Sequence, residues 1–177
     1  SLSLNKINQE KLKVCNANIL CRGPDSTKTM SNIINGKYIS AIFNRLSIID
    51  LSNKADQPMF SENREYMILF NGEIYNHKLI RLELEKKGYK FRTDHSDTET
   101  LLYAFIEFGE KAPNKLRGQF SLVFTDFREE KMILCRDRVG QKPLFYTSEN
   151  NTFSFSSDLT SLSKLSNQTE LEKSSIY

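Results

Sequence analysis

The sequence predicts an α+β fold in which the strands are mainly antiparallel. Two stretches in the middle of the chain have the periodicity of amphipathic helices, and strand-like stretches lie on both sides of them. From Phe120 onward the apolar residues recur with a period near two, which is typical of strands joined as hairpins. At 177 residues, of which 38% are hydrophobic, the chain is long enough to form one domain with a sizeable core.

The first part of the chain is predicted to contain one helix and several short strands. An imperfect apolar stripe indicates a helix over residues 6–18, and the Gly and Pro of Arg22-Gly23-Pro24-Asp25 indicate a turn after it. Apolar runs bounded by polar residues predict strands over residues 38–43, 46–49 and 66–70.

The second part is predicted to contain two helices followed by two hairpins. The first helix covers residues 76–88, where Leu79 and Leu82 lie about one turn apart. The hairpins pair residues 121–125 with 131–136 and residues 144–147 with 152–156. After Asp158 the sequence becomes a tail that is polar and rich in serine.

The second helix carries the strongest periodic signal, over residues 99–108. Four apolar side chains share one of its faces: Leu101, Leu102, Phe105 and Phe108. Ser96 followed by Glu99 fits a capping box at its start, and Gly109 fits a stop at its end.

Composition excludes several classes of protein. The net charge is only +3 and the basic residues are scattered, so no nucleic-acid partner is expected. No apolar run approaches the ~20 residues of a membrane span, so no membrane partner is expected either. Three cysteines do not form a disulfide framework and suit a reducing compartment, which predicts a cytoplasmic location. With two histidines and no CxxC pair, no metal site is predicted.

Asn71-Gly72 allows two interpretations. The pair favours positive φ angles, which is typical of a tight turn after a strand. Alternatively, the Asn side-chain amide and the Gly backbone N–H form an oxyanion hole, because both can point at one developing negative charge. The two interpretations are compatible.

Charged residues near this pair also have a structural and a functional interpretation. Arg45 lies beside an apolar strand and needs a partner, either a structural acid such as Asp50 or the carboxylate of a ligand. Asp97 lies at the start of a predicted helix, where an acid caps the helix or binds a ligand ammonium. Glu73 either assists Asp97 or faces solvent.

Other reactive or charged residues are predicted to be structural. Cys135 alternates with Ile133 in a strand and is expected in the core. Cys21 has no histidine near it in sequence, so nothing marks it as an activated thiolate. Arg136-Asp137-Arg138 is expected to form an ion-pair cluster.

Seven segments, in the same order along residues 20–165, resemble the glutaminase domain of glutamine-hydrolysing asparagine synthetases, a branch of the class II glutamine amidotransferases. The segments are Arg22-Gly23-Pro24-Asp25; Arg45-Leu46-Ser47-Ile48-Ile49-Asp50-Leu51-Ser52; Gln57-Pro58-Met59; Asn71-Gly72-Glu73-Ile74-Tyr75-Asn76; Ser96-Asp97-Thr98-Glu99; Leu116-Arg117-Gly118-Gln119-Phe120; and Arg136-Asp137-Arg138-Val139-Gly140 with Lys142-Pro143-Leu144.

The resemblance implies an N-terminal-nucleophile hydrolase fold, a four-layer αββα sandwich with two antiparallel sheets between helical layers. It also implies a glutamine pocket. Arg45 would pair with the α-carboxylate, supported by the backbone of four residues: Leu46, Ser47, Ile48 and Ile49. Asp97 would hold the α-ammonium with Glu73 nearby, and Asn71 and Gly72 would form the oxyanion hole.

The implied mechanism needs a cysteine as the first residue of the mature chain. Its thiolate attacks the glutamine amide, its free α-amino group shuttles the proton, and water then releases glutamate. The chain begins instead with Ser1-Leu2-Ser3-Leu4, and fewer residues precede Arg22 than in the family. We therefore expect a natural start upstream that supplies the first strand and the cysteine, and little glutaminase activity from this chain alone. A domain that binds glutamine without hydrolysing it and Ser1 as a replacement nucleophile are the alternatives. Cys21 stands where the family usually has histidine.

The resemblance also implies a larger parent protein. Residues 1–165 would be its glutaminase domain, and residues 166–177 a polar tail leading to a C-terminal synthetase domain. That domain would use ATP and Mg, whereas the glutaminase domain needs no cofactor. The ligands here would be glutamine and glutamate, and the ammonia would pass to aspartate or, in related proteins, to acceptors such as polysaccharide sugars. A homodimer of the parent is compatible with the resemblance.

Overall fold

Two antiparallel sheets form the middle of the structure, a computed structural model that describes residues 2–3, 9–34, 36–45, 56–149 and 151–165. The first sheet contains β1 (Leu2–Ser3), β2 (Ser26–Ile34), β3 (Lys37–Arg45), β8 (Phe145–Glu149) and β9 (Thr152–Ser156). Its strands lie in the order β2-β3-β1-β9-β8. The second sheet contains β4 (Met59–Phe60), β5 (Tyr66–Ile74), β6 (Gly118–Asp126) and β7 (Lys131–Arg136), arranged in that order.

Helices cover the outer face of each sheet. Within the described residues these helices are α1 (Gln9–Ile19), α2 (His77–Lys86), α3 (Asp97–Phe108) and α4 (Leu159–Leu165), with 3₁₀ turns at Leu20–Arg22 and Gly109–Lys115. The helices α2 and α3 bury their apolar side chains against Ile68, Phe70 and Ile74 of the second sheet. The helices α1 and α4 pack together against the first sheet, where Cys15 Sγ donates to the Ser161 carbonyl over 3.4 Å. None of these helices is both long and apolar enough to cross a bilayer.

The two sheets also share a buried layer. Ile39 of the first sheet packs with Met67 of the second sheet and with Phe127, the residue after β6. Next to them, a small apolar cavity is lined by Ile39 and Ala41 from one sheet and by Met67 and Leu69 from the other. The layers therefore run helix, sheet, sheet, helix, which confirms the α+β prediction and the four-layer arrangement.

Most predicted elements are present. Both hairpins are confirmed, and the strands β7 and β9 have the predicted bounds. The helices α1, α2 and α3 match the predicted ones to within a few residues. The predicted strand over residues 66–70 continues to Ile74, which places the next four residues inside a sheet.

Two parts of the sequence-based prediction were incomplete. The strand β2 was not predicted because its side chains are mostly polar and exposed, although it pairs with β3 over its whole length. Asn35-Gly36 is the turn signal that could have revealed this hairpin. The helix α4 was not predicted either, because the sequence after Asp158 is polar and rich in serine, yet Ser161 and Leu162 of this helix are buried.

The buried face of α2 was also misassigned. Leu79 and Leu82 are 69% and 54% exposed, whereas Ile80 and Leu84 are buried against the second sheet. The apolar residues of this helix occupy two faces, so the spacing of one pair did not identify the face that packs.

The capping box before α3 is half formed. The Ser96 hydroxyl accepts from the backbone N–H of Glu99 over 3.3 Å, as predicted. The Glu99 carboxylate does not return the bond to the cap. It accepts instead from the N–H groups of Arg92 and Thr93, at 2.9 and 2.8 Å.

Two predicted segments fall on residues that the structure does not describe. The strand over residues 46–49 and the tail over residues 166–177 lie outside the described ranges. At the other end, β1 lies between β3 and β9, with Leu2 opposite both Ile39 and Phe153. That a longer first strand precedes this segment stays a prediction.

Candidate functional site

Asn71, Gly72 and Glu73 lie within β5 rather than in a turn. Asn71 is opposite Ser121 and Gly72 is opposite Phe120 in the ladder with β6. Gly72 has a φ of 145°, and a Cβ there would lie 2.0 Å from the Gln119 carbonyl oxygen. The tight-turn interpretation is therefore wrong, and glycine is required both by the backbone angle and by the close approach of β6.

The alternation of side chains along β5 sets the direction of Asn71. Ile68 and Phe70 point to the helical layer, whereas Met67 and Leu69 point toward the first sheet. Because successive side chains of a strand alternate between its faces, Asn71 lies on the side of the first sheet. It is half-buried there.

Arg45 lies at the same end of the layer between the sheets. Ile39 and Ala41 of β3 share the apolar cavity with Met67 and Leu69 of β5. Side chains two residues apart share a face of a strand, so Arg45 lies on the same face of β3 as Ala41. Asn71 likewise lies on the same face of β5 as Leu69. The structure thus brings two predicted site residues, one from each sheet, toward one end of the sandwich.

The described partner of Arg45 is Asp56. Its guanidinium Nη1 lies 2.8 Å from Asp56 Oδ1, and only 11% of the arginine side chain is exposed. Lys28 Nζ lies 3.4 Å from the other oxygen of the same carboxylate. Asp50, the structural partner proposed from sequence, lies outside the described residues, as do the four expected backbone contacts: Leu46, Ser47, Ile48 and Ile49.

Gln57 links this ion pair to β5. Its side-chain Nε2 donates to the Phe70 carbonyl over 3.0 Å, and the Phe70 N–H donates to its Oε1 over 2.6 Å. Because Asp56 and Gln57 are consecutive, Arg45 is connected through them to the residue directly before Asn71. The family motif contained Gln57, but its partner could not be predicted from sequence.

Asp97 accepts a hydrogen bond from the last residue of β5. It is the first residue of α3, is 7% exposed, and accepts from the Ile74 N–H over 3.2 Å. Burial raises the pKa of Asp97 to about 6; the Glu73 carboxylate adds to the rise, and the N–H groups of Ile74 and Thr98 oppose it. A positive charge placed beside a buried carboxylate of this kind would stabilise its ionised form. Glu73 itself is exposed.

The segment before Asp97 is held by two charged side chains whose contacts were not predicted from the sequence. Glu99 is fully buried and accepts from the backbone of Arg92 and Thr93. Arg81 Nη1 donates to the carbonyls of Thr93 and Asp94 over 2.7 and 3.0 Å. Together they fix the backbone that leads into α3. The spacing of Ser96 and Glu99 was the only sequence signal for this arrangement.

The Asp137 carboxylate lies in a cradle of backbone N–H groups rather than in the predicted ion-pair cluster. Its carboxylate accepts four backbone N–H groups, from Phe120, Val139, Gln141 and Lys142. Burial alone would raise the pKa of Asp137, but these bonds outweigh it and hold the pKa at about 2. The adjacent arginine, Arg136, donates to the Gly140 carbonyl over 2.7 Å. Since Phe120 is opposite Gly72, the cradle fixes the strand against which Gly72 packs.

Cys15, Cys21 and Cys135 take no part in the contacts described above. Cys135 is half-buried and packs against the core of the second sheet, as predicted. Burial raises the pKa of Cys135 and of Cys15, which disfavours their reactive thiolate forms. Cys21 is exposed beside the first turn.

The fold and these residues define a class of protein. The family model of the glutamine amidotransferase domain matches residues 1–177, so the chain belongs to that family. Among solved structures, the glutamine phosphoribosylpyrophosphate amidotransferase from B. subtilis, complexed with ADP and GMP, has a TM-score of 0.70 at 16% identity. The match covers 93% of this chain and 42% of the amidotransferase chain. This likeness confirms the N-terminal-nucleophile hydrolase fold.

Two asparagine synthetases are similar to the chain over most of its length. It is 40% identical to asparagine synthetase [glutamine-hydrolyzing] 1 of Bacillus subtilis (strain 168), over 95% of this chain and 26% of that protein. It is 35% identical to asparagine synthetase [glutamine-hydrolyzing] 3 of the same organism, over 80% of this chain and 22% of that protein. The chain therefore spans about a quarter of the length of these relatives.

Proposed function

We propose that this chain is the glutaminase domain of a glutamine-dependent asparagine synthetase. In the parent protein it hydrolyses glutamine to glutamate and supplies ammonia for the ATP-dependent amidation of aspartate. ATP and Mg bind to the C-terminal synthetase domain, and the glutaminase domain itself needs no cofactor. The similarity to two asparagine synthetases supports this choice of class.

The observation that carries the proposal is that three polar side chains belong to, or are connected by hydrogen bonds to, residues 70–74 of one strand. Arg45 is tied to the start of this stretch through Asp56 and Gln57, and Asp97 is bonded to its end. Asn71 lies between them. A guanidinium, a carboxylate and an amide at these places suit the carboxylate, the ammonium and the side-chain amide of one glutamine molecule.

Each residue then has a distinct role. Arg45 binds the α-carboxylate and Asp97, with Glu73 nearby, binds the α-ammonium. When a thiolate attacks the side-chain amide, the carbonyl oxygen becomes negative, and the Asn71 amide and the Gly72 N–H stabilise it. The carbon–nitrogen bond then breaks and ammonia leaves with the transferred proton. Water hydrolyses the thioester to glutamate and restores the thiol.

The register of β1 supports a route for the nucleophile. Leu2 is opposite Ile39 and the pairing is antiparallel, so residues preceding Leu2 in the same register run along β3 toward Arg45. We propose that an upstream segment of the parent chain follows this route and delivers a cysteine to the site. The codons upstream of Ser1 test this directly, because the proposal requires a cysteine codon directly after the initiator.

The oxyanion assignment is tested in the parent protein with Asn71→Ala. Loss of one oxyanion donor is expected to lower the glutaminase kcat by about 10²–10³. The KM for glutamine is expected to change much less, because the lost bond forms mainly in the transition state.

Ammonium-dependent asparagine synthesis by the same variant is the control. With ammonium salts as the nitrogen source, asparagine synthesis bypasses the glutaminase site and should proceed at the unaltered rate. Full glutamine-dependent activity of Asn71→Ala would exclude the oxyanion role, whereas loss with both nitrogen sources would point to a folding defect.

A further inference from the structure

Gln57 occupies an unusual place at the edge of β5. In the ladder between β4 and β5, Met59 is opposite Ile68, so two residues further along Gln57 falls opposite Phe70. The bonds between them are made by the side chain and not by the backbone of Gln57: its amide both donates to and accepts from Phe70. A primary amide thus replaces the peptide group of a neighbouring strand.

This replacement fixes the backbone directly before Asn71. Gln57 is 6% exposed and Phe70 is 5% exposed, so water does not compete for either bond. On its other side, β5 is held by β6 through the whole stretch from Tyr66 to Ile74. Around Phe70 the strand β5 is therefore held on both edges, by β6 on one and by the Gln57 amide on the other, and the backbone that leads into Asn71 depends on that amide.

Asp56, the residue before Gln57, holds the Arg45 side chain of the candidate site. Asp56 holds the Arg45 guanidinium at 2.8 Å, and both side chains are largely buried. Arg45 comes from the first sheet and Asn71 from the second. The dipeptide Asp56-Gln57 thus connects the two, through the Arg45 ion pair on one side and the bonds to Phe70 on the other.

We propose that Asp56 and Gln57 are positioning residues that set the separation between Arg45 and Asn71, and that this separation selects a ligand of glutamine length over one shorter by a methylene. The inference rests on the proposed function, in which Arg45 binds the α-carboxylate and Asn71 binds the side-chain carbonyl. A rigid separation matches one chain length, and a missing methylene typically costs about 10–200-fold in such pockets.

The selectivity is measured by calorimetric titration of the full 177-residue chain with L-glutamate and with L-aspartate, which differ by one methylene and are not hydrolysed. Gln57→Met keeps the volume but removes both bonds to Phe70. Asp56→Asn keeps an oxygen for Arg45 but holds the guanidinium less tightly. Both variants are expected to lower the ratio of the aspartate Kd to the glutamate Kd at least ~5-fold.

Gln141→Met is the matched control, since Gln141 is an exposed glutamine in the loop after Asp137. It should leave the ratio unchanged. Thermal unfolding of each variant establishes that it is folded, and if Gln57→Met does not fold, Asp56→Asn decides alone. Equal weakening of both ligands, or an unchanged ratio in the folded variants, would overturn the inference, because a merely structural role shifts both affinities together.

Failure of the proposed function gives a different result. If the unaltered chain binds neither amino acid, or binds aspartate as well as glutamate, the proposed glutamine site is wrong and the inference falls with it. If the unaltered chain prefers glutamate and the variants keep that preference, only the positioning role is wrong.

Discussion

Asp97 is an acid whose burial opposes its own charge. Its pKa is raised to about 6 from an ordinary value of 3.8. Between these pH values the folded chain binds more protons than the unfolded chain, so the contribution of Asp97 to stability falls as pH rises from about 4 to about 6. Above pH 6 the ligand-free protein carries a buried, ionised carboxylate. A ligand ammonium would reverse this cost, which is expected of a binding residue and not of a helix cap.

Asp97→Asn separates these two roles. At pH 8 the free energy of unfolding of the variant, measured by chemical denaturation, should be higher by on the order of 1–3 kcal/mol, because the substitution removes a buried charge but keeps an oxygen for the Ile74 N–H. The same variant should bind L-glutamate more weakly. In the unaltered chain, affinity should fall as pH drops below 6, with proton release on binding that is measurable by calorimetry in two buffers. A less stable variant with unchanged affinity would establish Asp97 as a cap only.

Asp137 shows the opposite behaviour at a similar depth. Four backbone N–H groups stabilise its charged form and hold the pKa at about 2, below the ordinary 3.8. Its contribution to stability is therefore present above pH 4 and is lost as pH falls from about 4 to about 2. Asp137→Asn should lower the Tm at neutral pH and make acid unfolding between pH 4 and 2 less steep. Asp94→Asn, at an exposed aspartate, should change neither quantity.

At the scale of elements, β5 carries most of the candidate site. Gly72 interrupts its regular geometry in the middle of a nine-residue strand, with a φ of 145° and β6 in close contact. Gly72→Ala should lower the free energy of unfolding by roughly 3 kcal/mol or more, because it combines backbone strain with a clash against another backbone. Chemical denaturation measures the change.

Gly88→Ala is the control for backbone strain alone. Gly88 also has a positive φ, of 95°, but no atom lies within 4 Å of a Cβ built there. Its substitution should cost only about 1 kcal/mol. Equal effects of the two substitutions would show that the contact between β5 and β6 has no role in the requirement for glycine.

Local signals were enough to predict most of these elements. The helix α3 has four apolar side chains on one face and a serine cap, and both hairpins in the second half of the chain follow a period of two. The strand β2 has neither signal. It is an edge strand with exposed polar side chains, so its stability comes from pairing with β3, which side-chain pattern does not reveal.

The site was harder to predict than the elements, since its contacts join residues far apart in sequence. Arg45, Asn71 and Asp97 were identified by motif, but the pairing of Arg45 with Asp56 depends on how the two sheets pack. The Gln57 amide and the Asp137 cradle likewise bind backbone groups that only the folded chain brings near. Residue type predicts that a buried charge needs a partner, and tertiary structure decides which partner it has.

At the scale of the whole molecule, the candidate site lies at one end of the sandwich, and each sheet contributes to it. The first sheet supplies Arg45, and the second supplies Asn71 and Gly72 with Asp97 from the helix behind it. A family of glutamine amidotransferase domains shares this framework, as the likeness to a solved amidotransferase at 16% identity shows. The four-layer fold is thus compatible with very different amino-acid sequences.

The two sheets also differ in how they can form during synthesis on the ribosome. The second sheet and the helices that cover it come from one continuous stretch, from Met59 to Arg136. The first sheet joins β1 to β9, pairing Leu2 with Phe153, so it closes only after nearly the whole domain has emerged. The half with Asn71 and Asp97 can therefore fold first, and the half with Arg45 completes the site as a late, long-range step.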